Sequence, residues 1–430
     1  MKESSFLFFG TSDHRAHLTQ RNNEPLTPQS TIMNKLHTTA ILVLIVSVIL
    51  TGCNKKKTSV NAEGIEQIYI NNPLQIPLEE LISEYDIIRL EATEQSLLSD
   101  IGLLQIMNDK IYVTDGSMSK VLIYTLDGKY ISQINDQGQG PKEYIRIYSI
   151  EADHVNKRLF LTDTFSKRLF IYDEDGNLQQ VIPMKFMPGR IMSDGKGHLL
   201  HHKAAIEYYD KDKDLNKSHL QILNNKGEIT GSLLPDETQI LKRFRPMQGS
   251  NLTTEGDLLF MPHFSNIIYR IHNLQATPRY EVIPQNGWEL LSTEDKKQIY
   301  YTVEKSNVEE YEQQKKMIFT GTFLHSDSLL FVSSGWEKHF YTFYSIQTGK
   351  SFTIDPQEIK WNEGLRAIFS TCPKTLYKEY FYISIPFSYM GYSLQYLEEG
   401  KLKTSFESIM ENEGNPCLIR YKLNEKLFQQ

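Results

Sequence analysis

The chain has 430 residues and an even composition from about residue 60 onward, with no low-complexity linker to divide it, so one large domain accounts for it as readily as two or three average ones. Its 46 Lys and Arg against 53 Asp and Glu give a net charge of -7, which excludes a generally basic nucleic-acid binder, and 40% hydrophobic with 23% charged residues excludes a disordered chain. Three cysteines exclude a disulfide scaffold and a multi-cysteine metal domain, while 24 Tyr, 21 Phe, 24 Gly and 16 Pro favour β-structure with many turns.

Residues 1–32 are polar and patternless, and they precede the methionine that a signal peptide needs, so they read as an over-extended start and not as a domain. From Met33, Lys35 supplies a basic n-region and residues 40–50 form an apolar run broken only by Ser47. A membrane-spanning helix needs about 20 apolar residues, and this run falls short. It ends in Leu50-Thr51-Gly52-Cys53, which resembles the bacterial lipobox, where the cysteine is acylated before cleavage. The resemblance implies a lipoprotein signal peptide at 33–52, lipidated Cys53 as the first mature residue, and residues 53–64 as a tether. The expected location is the cell envelope, lipid-anchored on the periplasmic side or at the outer-membrane surface. In that oxidising setting Cys372 and Cys417 either pair as a disulfide or stay separately buried, and spacing does not choose between the two.

Beyond the tether, the chain repeats itself. Ile111-Tyr112-Val113-Thr114-Asp115, Val121-Leu122-Ile123-Tyr124 and Asp127-Gly128 return as Leu159-Phe160-Leu161-Thr162-Asp163, Leu169-Phe170-Ile171-Tyr172 and Asp175-Gly176, at an unbroken offset of 48 residues. Each unit predicts two strands buried on both faces, then an Asp-Gly type I′ hairpin into a further strand. Weaker copies follow at 220–234, 258–269 and 329–349, and a sixth is expected from 381–385 paired with 392–397. Periods of 40 to 50 residues built from about four short strands are the signature of propeller blades. An early strand at 85–90 and a late one at 418–423 predict that the two ends share one blade and close the ring. Residues 292–318 interrupt the pattern; Ser292-x-x-Asp295 and Ser306-x-x-Glu309 have capping-box spacing and predict two short inserted helices. The fold class is therefore all-β, a six-bladed β-propeller of four-stranded blades over 65–430 with a short helical insertion.

The repeated unit and the loop Gly138-Gln139-Gly140-Pro141-Lys142-Glu143-Tyr144 resemble the NHL-type six-bladed propeller repeat, and in particular a group of bacterial propeller lipoproteins. Residues 84–91 and Asn415-Pro416-Cys417-Leu418 resemble that group's opening and closing strands. The third and fourth copies depart from the pattern, because the Asp after the first strand is missing. The resemblance implies a propeller of the cell envelope and says little about activity.

Candidate chemistry is sparse. Asp115 and Asp163 occupy equivalent places in two repeats, where a turn carboxylate that accepts backbone N–H groups recurs, so catalysis is not their first reading. His198, His201 and His202 form the densest histidine group; strand alternation lets at most two share a metal, and solvated strand ends are the simpler reading. Asp210-Lys211-Asp212-Lys213-Asp214 imitates an EF-hand opening, but Leu215 stands where glycine is needed and Gln221 where a bidentate Glu is needed. No Gly-x-Ser-x-Gly, Walker or His-Glu-x-x-His motif occurs. Arg146, Arg190 and Arg245 fall near the segments that lead into innermost strands, where they would rim the channel as a cationic mouth for an anionic ligand, or else stand separately in solvent. Trp288, Trp336 and Trp361 are expected either to stack on sugars or to pack in the protein.

Three functions compete at this stage. The first is a non-enzymatic binding or scaffold module with no cofactor, tied to the membrane by its N-terminal lipid and presenting one face to a glycan, peptide or envelope protein. The second is a metal-dependent lactonase or lyase with its site in the central channel. In the third, the helices of 292–318 dock another envelope protein.

Overall fold

Ile111, Tyr112, Val113 and Val121 to Tyr124 have no solvent exposure because each of their strands lies inside a sheet that is packed on both faces. The computed structural model describes residues 60–203, 217–236, 250–253, 256–299, 306–411 and 414–429, all within one unit, Lys56–Gln430. In it the repeats become six blades of four antiparallel strands, which in blades 1 to 5 follow chain order from the innermost strand outward. Blade 1 is Ile101–Met107, Lys110–Asp115, Val121–Thr125 and Tyr130–Ile134; blade 2 is Ser149–Asp153, Arg158–Asp163, Arg168–Asp173 and Leu178–Pro183. Blade 3 runs Arg190–Ser193, Leu199–His202, Ser218–Leu223 and Ile229–Pro235, and blade 4 runs Ser250–Leu252, Leu258–Phe260, Ile267–His272 and Gln275–Pro284. Blade 5 is Phe323–His325, Leu329–Ser334, Phe340–Ser345 and Lys350–Ile354.

Blade 6 closes the ring. Its strands Thr375–Tyr377, Tyr380–Ile385 and Cys417–Leu423 are joined by the early strand Ile82–Arg89, with Tyr85 opposite Tyr421 and Ile88 opposite Leu418. The shared blade predicted from the chain ends is thus present. The predicted partner at 392–397 is not: Phe387–Leu394 is helical, and a second helix, Lys401–Glu411, follows before the true partner strand. The reason is periodicity, since Met390, Ser393 and Leu397 are buried while Tyr389, Tyr392 and Tyr396 are exposed, a spacing of three and four that suits a helix and not a strand.

The inserted helices at 292–318 are Thr293–Gln298 and Val308–Gln313. Ser292 and Asp295 form the full capping box expected of them, whereas the second helix starts after Asn307 without a side-chain cap, and Ser306 Oγ accepts only the Val308 N–H. A strand absent from the sequence reading, Glu66–Ile70, adds in parallel to the outer edge of blade 4 and covers it.

The Asp-Gly turns also differ in detail. The Gly128 N–H donates to Thr125 O and the Thr125 N–H to Lys129 O, with Gly128 at φ +88° and Asp127 not in the left-handed region. That is a three-residue loop with a glycine bulge and not a two-residue type I′ turn, and the strand register slips between Ile123 and Tyr124 accordingly. Asp173 serves the equivalent turn of blade 2, where its Oδ1 accepts the N–H groups of Asp175 and Asn177.

Apolar clusters fill every gap between neighbouring blades. Val113, Leu122 and Leu418 join blades 1 and 6, Tyr112, Leu159 and Phe170 join blades 1 and 2, and Phe331, Phe343 and Phe381 join blades 5 and 6. With its sheets locked edge to edge in this way, the ring leaves its innermost strands around a central channel.

Candidate functional site

All six innermost strands run the same way, so the channel has an upper face, where the chain arrives at each strand, and a lower face, where each strand turns into the second. The lower mouth holds a cavity of about 600 Å³. Every blade contributes to it: Gln105 and Asn108, Glu151 and His154, Met192 and Ser193, Thr253 and Leu258, His325 to Ser328, and Thr375 to Glu379. Most of the lining residues carry hydrogen-bonding side chains, yet the larger share of the exposed wall is apolar, and Ile106, Ala152, Met192, Leu258 and Leu376 contribute to it.

Several wall residues are fixed from behind. Glu151 is held by Arg190 across the blade 2 to blade 3 gap, a pair almost wholly withdrawn from water. The Gln105 amide donates to Ile150 O, and the Asn108 amide to Glu174. At the rim Tyr377 donates its hydroxyl to Asp109 while Lys378 pairs with the same carboxylate and stands 5.1 Å from the Tyr377 ring centroid. Burial first, and then the Asp109 carboxylate, raise the Tyr377 hydroxyl above its ordinary value, against a lowering contact from the Asp109 backbone N–H. Burial pushes the His325 imidazole down to about 4, so it faces the cavity neutral at physiological pH. His154 lines the cavity, and its Nε2 is buried with no hydrogen-bond partner among the described residues.

The sequence-predicted residues are placed as follows. Arg190 begins the innermost strand of blade 3 and is buried against Glu151, while Arg146 is exposed in the segment leading to blade 2. Arg245 and Cys53 lie outside the described residues, as do the Asp210 to Asp214 motif and residues 1–52. Cys372 and Cys417 are free thiols, each raised by burial, to about 11 and about 12. Asp115 accepts the N–H groups of Ser119 and Lys120, and Asp163 those of Phe165 and Ile145, which is turn work.

His201 and His202 depart from expectation, since both are buried where solvated strand ends were expected. His201 Nε2 accepts the Gly189 N–H and its Nδ1 pairs with Gln221 Oε1, which fixes the neutral tautomer; His198 pairs with Asp194. Packing is also the use of the tryptophans: Trp288 meets Phe340 edge to face, Trp336 packs on the inserted helices, and Trp361 donates its indole N–H to Ile76 O. Among the described residues, no three His, Cys, Asp or Glu side chains stand together as a metal-ligand set.

Sequence reasoning looked to the upper face and missed the lower mouth. Its residues are scattered polar groups at strand ends with no shared local motif, and only closure of the ring brings them together. The chain belongs to the family described as a domain of unknown function (DUF4934), which matches residues 62–422. No curated protein matches the sequence. Among solved structures it is similar to BF0058 of Bacteroides fragilis NCTC 9343, described as an exported protein, at 15% identity and TM-score 0.67, covering 83% of this chain and 99% of that one. Similarity extends more weakly to a member of the DUF4221 family from Bacteroides vulgatus, at 9% identity and TM-score 0.43 over 79% of this chain and 98% of that one. A virginiamycin B lyase from Staphylococcus aureus, solved with quinupristin, shares 11% identity and TM-score 0.35 over 63% and 74% of the two chains. The likeness to BF0058 speaks for the fold alone.

Proposed function

We propose that this chain is a non-enzymatic binding module of the cell envelope whose lower channel mouth receives a segment of glycan. The observation that carries the reading is the cavity of about 600 Å³ to which all six blades contribute, with hydroxyl, amide, imidazole and carboxyl groups set in a wall whose larger share is apolar. A polyhydroxyl ligand needs many short-range donors and acceptors around it, with small apolar patches and an aromatic ring for the faces of its sugars. Gln105, Ser193, Ser326 and Thr375 provide the former, and Leu376 and Tyr377 the latter. Lipid on Cys53 is the proposed anchor, with residues 53–64 as tether on the periplasmic side or at the outer-membrane surface; the lipobox-like Leu50-Thr51-Gly52-Cys53 supports this, and the exported relative BF0058 is consistent with it.

The test is a glycan array probed with the purified protein, followed by calorimetry on whatever binds. His154→Ala and Tyr377→Ala, which alter the wall and the rim, are each expected to weaken binding about tenfold, the scale of one lost hydrogen bond or one lost ring contact. Failure of both variants to change affinity would move the site away from this mouth. Elemental analysis of protein purified without chelators is the second arm: one equivalent of calcium or zinc, with turnover of lactone or lyase substrates, would replace the binding reading by the metal-dependent enzyme.

A further inference from the structure

A second cavity, of about 520 Å³, opens beside the channel mouth in the cleft between blades 4 and 5 and shares Thr253, His325 and Asp327 with it. Its outer wall carries Arg270 and Arg279 from the two outer strands of blade 4. Each guanidinium is backed by a buried carboxylate. Arg270 pairs with Asp257, which also takes Lys196 Nζ at 3.3 Å and stands 2.6 Å from His272 Nδ1, and Arg279 Nη1 pairs with Glu66 at 2.8 Å. Tyr344 gives its hydroxyl to the same Glu66, and the Arg279 guanidinium lies 4.5 Å from the Tyr280 ring centroid.

Burial separates the signs of charge. The Asp257 and Glu66 side chains are 3% and 8% exposed, whereas those of Arg270 and Arg279 are 43% and 38% exposed. Burial alone raises the Asp257 carboxyl, but contacts from His272, Arg270 and Lys196 outweigh it and hold the group below the ordinary carboxylate range, so it stays charged and keeps its cations in place. Among the described residues, the cleft thus turns two partly exposed guanidinium groups toward solvent together with exposed Asp327, while Asp257, which lines it from behind, is buried. A guanidinium whose plane is already fixed loses little freedom when it meets a carboxylate or sulfate.

We infer that this cleft is an anion subsite continuous with the channel mouth, and that the ligand is a glycan carrying carboxylate or sulfate groups. This rests on the glycan reading of the mouth and narrows it to a charged class. The uncharged part of the chain lies in the channel mouth and its acidic substituent reaches Arg270 and Arg279.

Four probes test it by calorimetry with the purified protein: cellohexaose, hexameric celluronate, a chondroitin hexamer and its sulfated counterpart. At low salt, celluronate is expected to bind about tenfold more tightly than cellohexaose, or sulfated chondroitin than chondroitin, and the gap to close by about 0.5 M salt. The first gain assigns carboxylate, the second sulfate. Arg270→Gln combined with Arg279→Gln is expected to remove the gap while leaving cellohexaose affinity unchanged, which also reports that the variant is folded. Lys226→Gln, an exposed charge on a blade 3 turn, is expected to keep it. If the double variant does not fold, the salt series on the unaltered protein decides. Equal affinity within both probe pairs, with neutral binding intact, would overturn the anion subsite and leave the glycan reading standing. Binding of none of the four would overturn both.

Discussion

At the scale of single residues, burial decides protonation. His201 and His263 are buried, and burial pushes each down to about 4, against an ordinary value near 6.5. The unfolded chain takes up a proton at each of these positions as pH falls from about 6.5 to about 4, and the folded chain does not. Stability is then fully present above about 6.5 and declines through that window, by up to about 3 kcal/mol for each histidine. Urea midpoints measured between pH 7.5 and 4.5 are expected to fall steeply, with a shallower slope for His201→Gln; a flat profile in the unaltered protein would contradict the burial of both rings. The histidine group was visible in the sequence, but its burial was not, because the Gly189 and Gln221 partners of His201 come from the strand on either side and the approach to it. The same holds for Arg190: its place beside an innermost strand was readable, and its partner Glu151 on the neighbouring blade was not.

At the scale of elements, the hairpins do more than reverse the chain. Gly128 sits at φ +88°, and a Cβ there would stand 2.2 Å from Arg89 O at the end of the closing strand, while the Glu91 N–H donates to Gly128 O. This turn of blade 1 therefore pins the closing strand of blade 6. Gly128→Ala is expected to cost about 3 kcal/mol, the sum of left-handed strain and a displaced strand, whereas Gly64→Ala should cost only about 1 kcal/mol. The contrast is sound because Gly64 is also left-handed, at φ +81°, but has nothing within 4 Å of its added Cβ. Chemical denaturation of the two variants checks the difference, and equal losses would mean that the contact with Arg89 is not tight. Strands were legible where a repeat copied them at 48 residues, and the two helices 387–394 and 401–411 were not, since they interrupt the one blade whose partner strand lies after them.

At the scale of the whole molecule, closure is a feature of the fold and anchoring is a proposal about the segment before it. The antiparallel pairing of Ile82–Arg89 with Cys417–Leu423 closes the ring, and the strand that precedes it in the chain, Glu66–Ile70, pairs with blade 4. On the proposed anchoring, Cys53→Ser is expected to move the protein from the membrane fraction to the soluble fraction without changing its thermal unfolding. Fractionation with a lipid-labelling assay reads this directly; retention of the variant in the membrane with no label on the unaltered protein would remove the lipid.

The sequence by itself determined the class of fold, the shared closing blade and the first of the inserted helices, because each is written in local patterns: alternation, a 48-residue repeat, and Ser292 three residues before Asp295. Only the tertiary structure decided where a ligand can sit. The lower mouth and the cleft beside it draw single residues from up to six blades spread over most of the chain, and such a wall has no period or spacing to read until the ring closes around it.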